Sequence, residues 1–199
     1  MQTQNKYVHE DAEPVCQLVE AEIYVPNLKE DVCSGLLEKP YSLQPKYFYD
    51  ERGSQLFDQI CDTPEYYPTR VEDRLLADNA VNIISETMPS QIIELGSGTS
   101  RKTRRLFDAC ENLSHLCSYA PFDVCEPMLV QTAVDLNNEY DWLNISPLLG
   151  DYHAGLGNLP MNYDKNLFVF LGSTIGNFEA DEARTFIQDL RDKMSSGDY

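Results

Sequence analysis

Gln91–Arg105, QIIELGSGTSRKTRR, carries the clearest structural signal in the chain. Ile92-Ile93 and Leu95 form an apolar run too short for a helix and bounded by glycines, so it reads as a buried strand. Gly96-Ser97-Gly98 then turns the chain, and Thr99 or Ser100 can cap a helix that begins at once. Strand, glycine turn and helix N-terminus together bring backbone N–H groups close to a nucleotide-type ligand. Glu94 sets a carboxylate at the strand's C-terminal end, where open α/β sheets bind their ligands. Arg101 stands where the dinucleotide fingerprint needs its third glycine, which weakens a nicotinamide or flavin reading. No G-K-[ST] follows, so this is not a phosphate-cradling P-loop. A glycine turn beside a strand is also ordinary punctuation, and the turn alone does not name a ligand.

Downstream, strands and helices alternate. A strand at Ser118–Asp123 ends in an acid about 25 residues after Gly98, near the spacing of an acid that binds ribose hydroxyls. A helix over 126–138 leads to a strand at Ile145–Leu149, which runs into Gly150-Asp151-Tyr152. A fourth strand, Leu167–Leu171, enters Gly172-Ser173-Thr174-Ile175-Gly176-Asn177. The last helix, Glu179–Met194, has acids in its first turn and Arg191 and Lys193 near its end, as the macrodipole prefers. Ser196-Gly197 reads as its C-cap, and Asp198-Tyr199 as the first residues of another strand. The pattern predicts an α/β, doubly wound, mainly parallel Rossmann-like sheet, here incomplete. The strand-end acids Glu94, Asp123 and Asp151 would face one crevice.

Upstream, Thr69-Arg70-Val71-Glu72 fits a T-x-x-E capping box. The helix it opens is expected to reach Met88, with Val71, Leu75, Ile83 and Ile84 inward. Lys46–Arg70 is unusually aromatic. A short helix from Gly53-Ser54 would put Leu56, Phe57 and Ile60 on one face. Pro64 and Pro68 predict an extended segment with Tyr66 and Tyr67 on a loop. There they are either ligand contacts or the edge of a tyrosine-lined core. Residues 1–40 read as helical with loops. Two parts result: an N-terminal helical and aromatic segment, 1–69, contributing to a substrate pocket, and the first part of a nucleotide-fold domain, 70–199.

The 199 residues carry a formal charge of −18, which argues against nucleic acid and anionic membranes as partners. Such a surface suits a cationic small ligand, or simply solubility. No run approaches the length of a membrane span, and the N-terminus lacks an apolar core of signal-peptide length. Six cysteines without a C-x-x-C indicate neither zinc nor a disulfide framework, so reduced thiols and a cytoplasmic location are expected.

Several blocks, KYFYDERGSQLFDQI, PEYYPTR, IIELGSGTSRKTR, PFDV, GDY and FLGSTIGNF, cover Lys46–Phe178 in order. As a set they resemble the S-adenosylmethionine (SAM)-dependent histidine Nα-methyltransferases of ergothioneine biosynthesis. The shortened E-x-G-x-G turn is also that of SAM methyltransferases. The resemblance implies transfer of methyl groups from SAM to the α-amine of an amino acid, toward the trimethylated betaine of histidine. On the cofactor side it implies Glu94, Gly96, Ser97, Gly98 and Lys102 at the turn, Asp123 at the ribose, and Asp151 with Tyr152 at the adenine. The family usually has phenylalanine where Tyr152 stands, which keeps the aromatic face. On the substrate side it implies Tyr49, Phe57 and Tyr66 around the amine, with Tyr49 and Tyr66 orienting it, and Gly172 and Asn177 on the fourth-strand loop. The family's C-terminal half, which supplies the residues reading the imidazole, is absent. Lys102 also makes sense physically: a cation in a helix's first turn opposes the macrodipole, and a cofactor carboxylate would account for it. Lys102 and Arg101 as solvated surface charges is the alternative.

Other readings exist. Gly172-Ser173-Thr174-Ile175-Gly176 looks like a nucleophile elbow, but His9, His115 and His153 all precede it, whereas that fold needs its histidine afterwards. These histidines read as ordinary surface or loop residues. Related enzymes act on a prenylated tryptophan amine, and a SAM-binding module without activity is a further possibility.

Overall fold

In a computed structural model, residues 14–199 are described. His9 and the first part of the N-terminal segment lie outside them. The elements are β1 (Gln17–Leu18), α1 (Leu28–Gly35), α2 (Glu51–Cys61), α3 (Tyr67–Thr87), β2 (Gln91–Leu95), α4 (Arg104–Asn112), β3 (Ser118–Asp123), α5 (Glu126–Glu139), β4 (Asn144–Ile145), β5 (Leu148–Leu149), β6 (Asn166–Val169) and α6 (Ala180–Lys193).

The sheet is parallel, in the order β1-β5-β3-β2-β6, with β4 also paired to β3. From β2 the chain winds outward through β3 to β5, then crosses back to place β6 on the other side of β2. That reversal makes β2/β6 the topological switch point, where such sheets open a ligand crevice at the strands' C-terminal ends. β2 is buried along its whole length, as its apolar run predicts. One core cluster packs α3 and α4 against the sheet through Ala80, Ile84, Leu106, Phe107 and Tyr119. The other fills the opposite face around Ile93, Leu95, Phe122, Leu148 and Phe186.

Several expectations change. The predicted third strand is two short pieces, β4 and β5, because Pro147 between them has no N–H for the ladder. The Pro147 carbonyl instead accepts from Gln17 at 2.8 Å, where β1 adds an edge strand inside a segment read as helix and loop. No helix starts at Thr99 or Ser100. Ser100 has φ 50°, its hydroxyl bonds the Tyr119 phenol at 2.6 Å, and α4 begins only at Arg104. Lys102 therefore lies on the turn, directly before the helix cap Thr103, and not in the first turn of the helix as expected.

The T-x-x-E motif is not a cap, because α3 already starts at Tyr67 with Pro68 in its first turn, where a missing N–H costs nothing. Tyr66 precedes the helix while Tyr67 is inside it. Ile84 is buried and Ile83 packs on the core, but Val71 and Leu75 are half exposed, since the first turns of α3 project past the sheet. In α2 the inward face is Ser54, Phe57, Asp58 and Cys61, which line a cleft rather than a core. Leu56 and Ile60 fall outside that face and are half exposed. α6 ends at Lys193 with an extended Met194 as its cap, not at Ser196-Gly197. Tyr199 exchanges hydrogen bonds with Asn166 and Phe168 at 2.9 and 2.8 Å, running beside the outer edge of β6.

Among the described residues all six cysteines are free, and Cys110 and Cys117 approach to 3.7 Å without bonding covalently. No described helix is long and apolar enough to cross a membrane. No described group of three or more His, Cys, Asp or Glu side chains is placed to hold a metal.

Candidate active site

The C-terminal ends of β2, β3, β5 and β6 open into a cleft of about 1170 Å³, part of it open to solvent. Its floor is the glycine turn. Gly96 (φ 68°) and Gly98 (φ 49°) both hold left-handed backbone that favours glycine. A Cβ on Gly96 would reach Thr174 and Tyr152 at 3.6 and 3.7 Å, so the turn packs against the β6 loop and the Tyr152 ring. A Cβ on Gly98 would meet nothing within 4 Å, so a ligand can lie against its Cα, while its N–H and C=O are held by Asp123 and Thr132.

Asp123 shapes this turn. Its two oxygens accept from Gly98 N at 2.9 Å and Cys125 N at 3.1 Å, closing the ends of β2 and β3 together. Burial raises its pKa, and the backbone N–H groups oppose that shift. Glu94 is buried beneath the turn, accepting from the Tyr119 phenol, and burial pushes its carboxyl up to about 7. The Ser97 hydroxyl is buried against the cleft without a hydrogen-bond partner. An orphaned donor of this kind fits a polar ligand atom at that point.

One wall is aromatic. Tyr152 stacks with Phe178 at 5.7 Å, and His153 lies 4.3 Å from Phe178. Burial holds the His153 pKa below its ordinary value, which favours the neutral ring. Read from sequence as a loop or surface residue, His153 is instead half buried and lines the cleft. His115 does sit on a loop, bonded to the Pro89 carbonyl at 2.8 Å. Across the cleft, Tyr49 and Phe57 meet edge to face at 5.8 Å, and Phe57 meets Tyr66 in the same way. Tyr49 and Phe57 line the cleft, whereas Tyr66 stands one ring behind them. Gly172 and Asn177 close the rim from the β6 loop.

Each cation on the lining has an acid of the protein's own. Lys46 pairs with Asp151 at 3.1 Å, Arg101 with Asp62 at 2.9 Å, and Lys102 with Glu72. The counter-charge that the sequence reading left to a cofactor carboxylate is thus already present at Lys102. Lys46 and Glu72 were not singled out for this site from sequence, because their partners are remote in the chain. The three acids Glu94, Asp123 and Asp151 do meet in one cleft, as expected. Glycine turn, neighbouring acid, aromatic wall and orphaned hydroxyl together suit a nucleoside joined to an amino acid.

A family model described as "Histidine-specific methyltransferase, SAM-dependent" matches residues 28–199. The chain belongs to this family. It is 44% identical over 171 residues to a histidine N-alpha-methyltransferase of Mycobacterium tuberculosis (strain CDC 1551 / Oshkosh), covering 86% of this chain and 53% of that protein. It is 35% identical over 179 residues to ergothioneine biosynthesis protein 1 of Neurospora crassa, covering 86% of this chain and 20% of that protein. The chain thus spans about half the length of the first of these curated relatives. Among solved structures, magnesium protoporphyrin IX methyltransferase from Synechocystis PCC 6803 with bound SAH superposes with a TM-score of 0.55 at 15% identity. The match covers 75% of this chain and 66% of that one. At that identity the likeness speaks for the fold: a class I SAM methyltransferase sheet, with the Rossmann-like winding that the sequence pattern predicts and the SAM class that the resemblance implies.

Proposed function

We propose that this chain is the cofactor-binding part of a SAM-dependent N-methyltransferase acting on the α-amine of histidine. The observation that carries the reading is the cleft floor, where open space at the Gly98 Cα and the unpartnered Ser97 hydroxyl meet Asp123 and the Tyr152 wall. The family description and the histidine-directed relative at 44% identity favour this substrate.

SAM, when bound, supplies a methyl group on a sulfonium, already a good leaving group, so no covalent nucleophile of the protein is needed. Gly96, Ser97 and Gly98 would hold its amino-acid end, with Glu94 beneath and the Lys102 ammonium facing its carboxylate. Asp123 would take the ribose, and Asp151 and Tyr152 the adenine. Residues 14–69 supply Lys46, Tyr49 and Phe57 to the same cleft and form the substrate side of the two-part arrangement. The Tyr49 hydroxyl orients the amine lone pair, with Tyr66 acting from behind Phe57, while Gly172 and Asn177 hold the amino-acid backbone. Aromatic faces there also tolerate a quaternary ammonium, worth roughly 0.5–2 kcal/mol. A cytoplasmic setting fits this chemistry and the free thiols.

Calorimetric titration with S-adenosylhomocysteine (SAH), before and after adding histidine, tests the reading. Binding that histidine strengthens supports it; a folded sample that takes up no SAH sinks it. A second expectation concerns the tyrosines. Tyr49→Phe should cost more turnover than Tyr66→Phe, about 10- to 100-fold against a few-fold, because only Tyr49 lines the cleft. Unchanged turnover in both variants of a full-length enzyme would remove them from the reaction.

A further inference from the structure

Glu72 lies in the second turn of α3, past the end of the sheet. Its carboxylate pairs with the Lys102 ammonium and accepts the Gly172 N–H at 3.0 and 3.1 Å. Lys102 belongs to the turn after β2, and Gly172 to the loop after β6. The Lys102 Nζ comes within 3.4 Å of where a Cβ on Gly172 would stand, so the three groups converge on one point of the cleft rim. The helix that carries Glu72 is anchored separately. Asp73 accepts two hydrogen bonds from Arg105, both at 2.9 Å, and those bonds hold its pKa below the usual carboxylate range. Ala80 and Ile84 seat the rest of α3 in the core. Glu72 is therefore a fixed acceptor shared by two loops that no regular element joins directly.

The geometry points to Glu72 as a positioning residue that couples the cofactor side of the cleft to the substrate side. One carboxylate sets the lysine of the glycine turn and the N–H of the β6 loop at once. A ligand carboxylate that draws Lys102 toward itself leaves Glu72 a less divided acceptor, and its charge-assisted bond to the Gly172 N–H strengthens. The loop bearing Asn177 then tightens as the cofactor side fills, and by linkage the reverse also holds. The inference rests on the SAM reading above.

Amide hydrogen exchange across residues 171–178 tests it, on the 199-residue chain and its Glu72→Ala and Glu72→Gln variants, with and without SAH. Calorimetry in parallel gives the SAH affinity. Without ligand, Glu72→Ala is expected to exchange faster than wild type at Gly172, whose N–H has lost its acceptor. With SAH, exchange in wild type should slow by about fivefold or more, and in Glu72→Ala by less than about twofold although SAH still binds. If Glu72→Ala does not fold, Glu72→Gln carries the comparison. It keeps an acceptor and loses the charge, so its slowing should also fall to about twofold. Equal slowing in variant and wild type, with SAH bound to both, overturns the coupling and leaves the SAH reading intact. A wild-type chain that binds no SAH overturns both.

Discussion

Replacing Glu94 by glutamine is expected to stabilise the fold at pH 8 and to leave it nearly unchanged below about pH 4.5. Glu94 is buried, and its carboxyl titrates near 7 rather than at its ordinary value. Between those two values the folded chain keeps a proton that the unfolded chain has released. Stability from this site is therefore fully present at low pH and is lost as pH rises through about 7. The loss amounts to roughly 3 kcal/mol when the whole shift is counted. Glutamine has no proton to lose, and its amide oxygen can still accept from the Tyr119 phenol. For a chain of this length the gain at pH 8 corresponds to several degrees of melting temperature, about 2–4 °C per kcal/mol. Thermal melts of both proteins from pH 4.5 to 8 check it. Curves that stay parallel across that range would mean that Glu94 ionises as freely as an exposed carboxylate.

Asp123→Asn is expected to act the other way, weakening SAH binding about a hundredfold and lowering the melting temperature. Both oxygens of Asp123 are acceptors, one for Gly98 N and one for Cys125 N. Asparagine has one oxygen and one NH2, so whichever way it turns, a donor faces a donor. Leaving such a group unsatisfied costs about 1–3 kcal/mol. The turn that it distorts is the floor of the proposed cofactor site, and the ribose would lose its acceptor as well. Each tenfold in affinity is about 1.4 kcal/mol, and two such losses give the hundredfold. Calorimetry alongside a melt separates the contributions. A lowered melting temperature with unchanged SAH affinity would confine Asp123 to bracing the turn.

The parts of the fold that were legible from sequence share a physical trait: their signal is local. The strand bounds at Ser118–Asp123 fall where the apolar run and its terminal acid put them, and α5 and α6 lie within one residue of expectation at each end. The misread places are those where local grammar is ambiguous. A proline forbids the helix interior but suits its first turn, so Pro68 opens α3 where it was read as keeping the chain extended. Ser100 is a good cap by type, yet the Tyr119 phenol claims its hydroxyl from across the sheet. β1 is two residues long and exists only because β5 offers it an edge. The cleft residues that went unnoticed, Lys46, Glu72 and His153, are defined by partners from distant segments or by burial, neither of which spacing can reveal.

The pairing of every lining cation with a resident acid has a kinetic consequence. With Lys46, Arg101 and Lys102 neutralised by Asp151, Asp62 and Glu72, Asp58 and Asp123 leave the cleft with a surplus of acidic groups, joined by Glu94 as pH rises above about 7. Such a field speeds the arrival of a positively charged ligand and weakens the hold on its uncharged counterpart. For a ligand pair that differs by one sulfonium charge, the same field holds the charged member more tightly and lets the uncharged one leave faster, which favours release of the spent ligand.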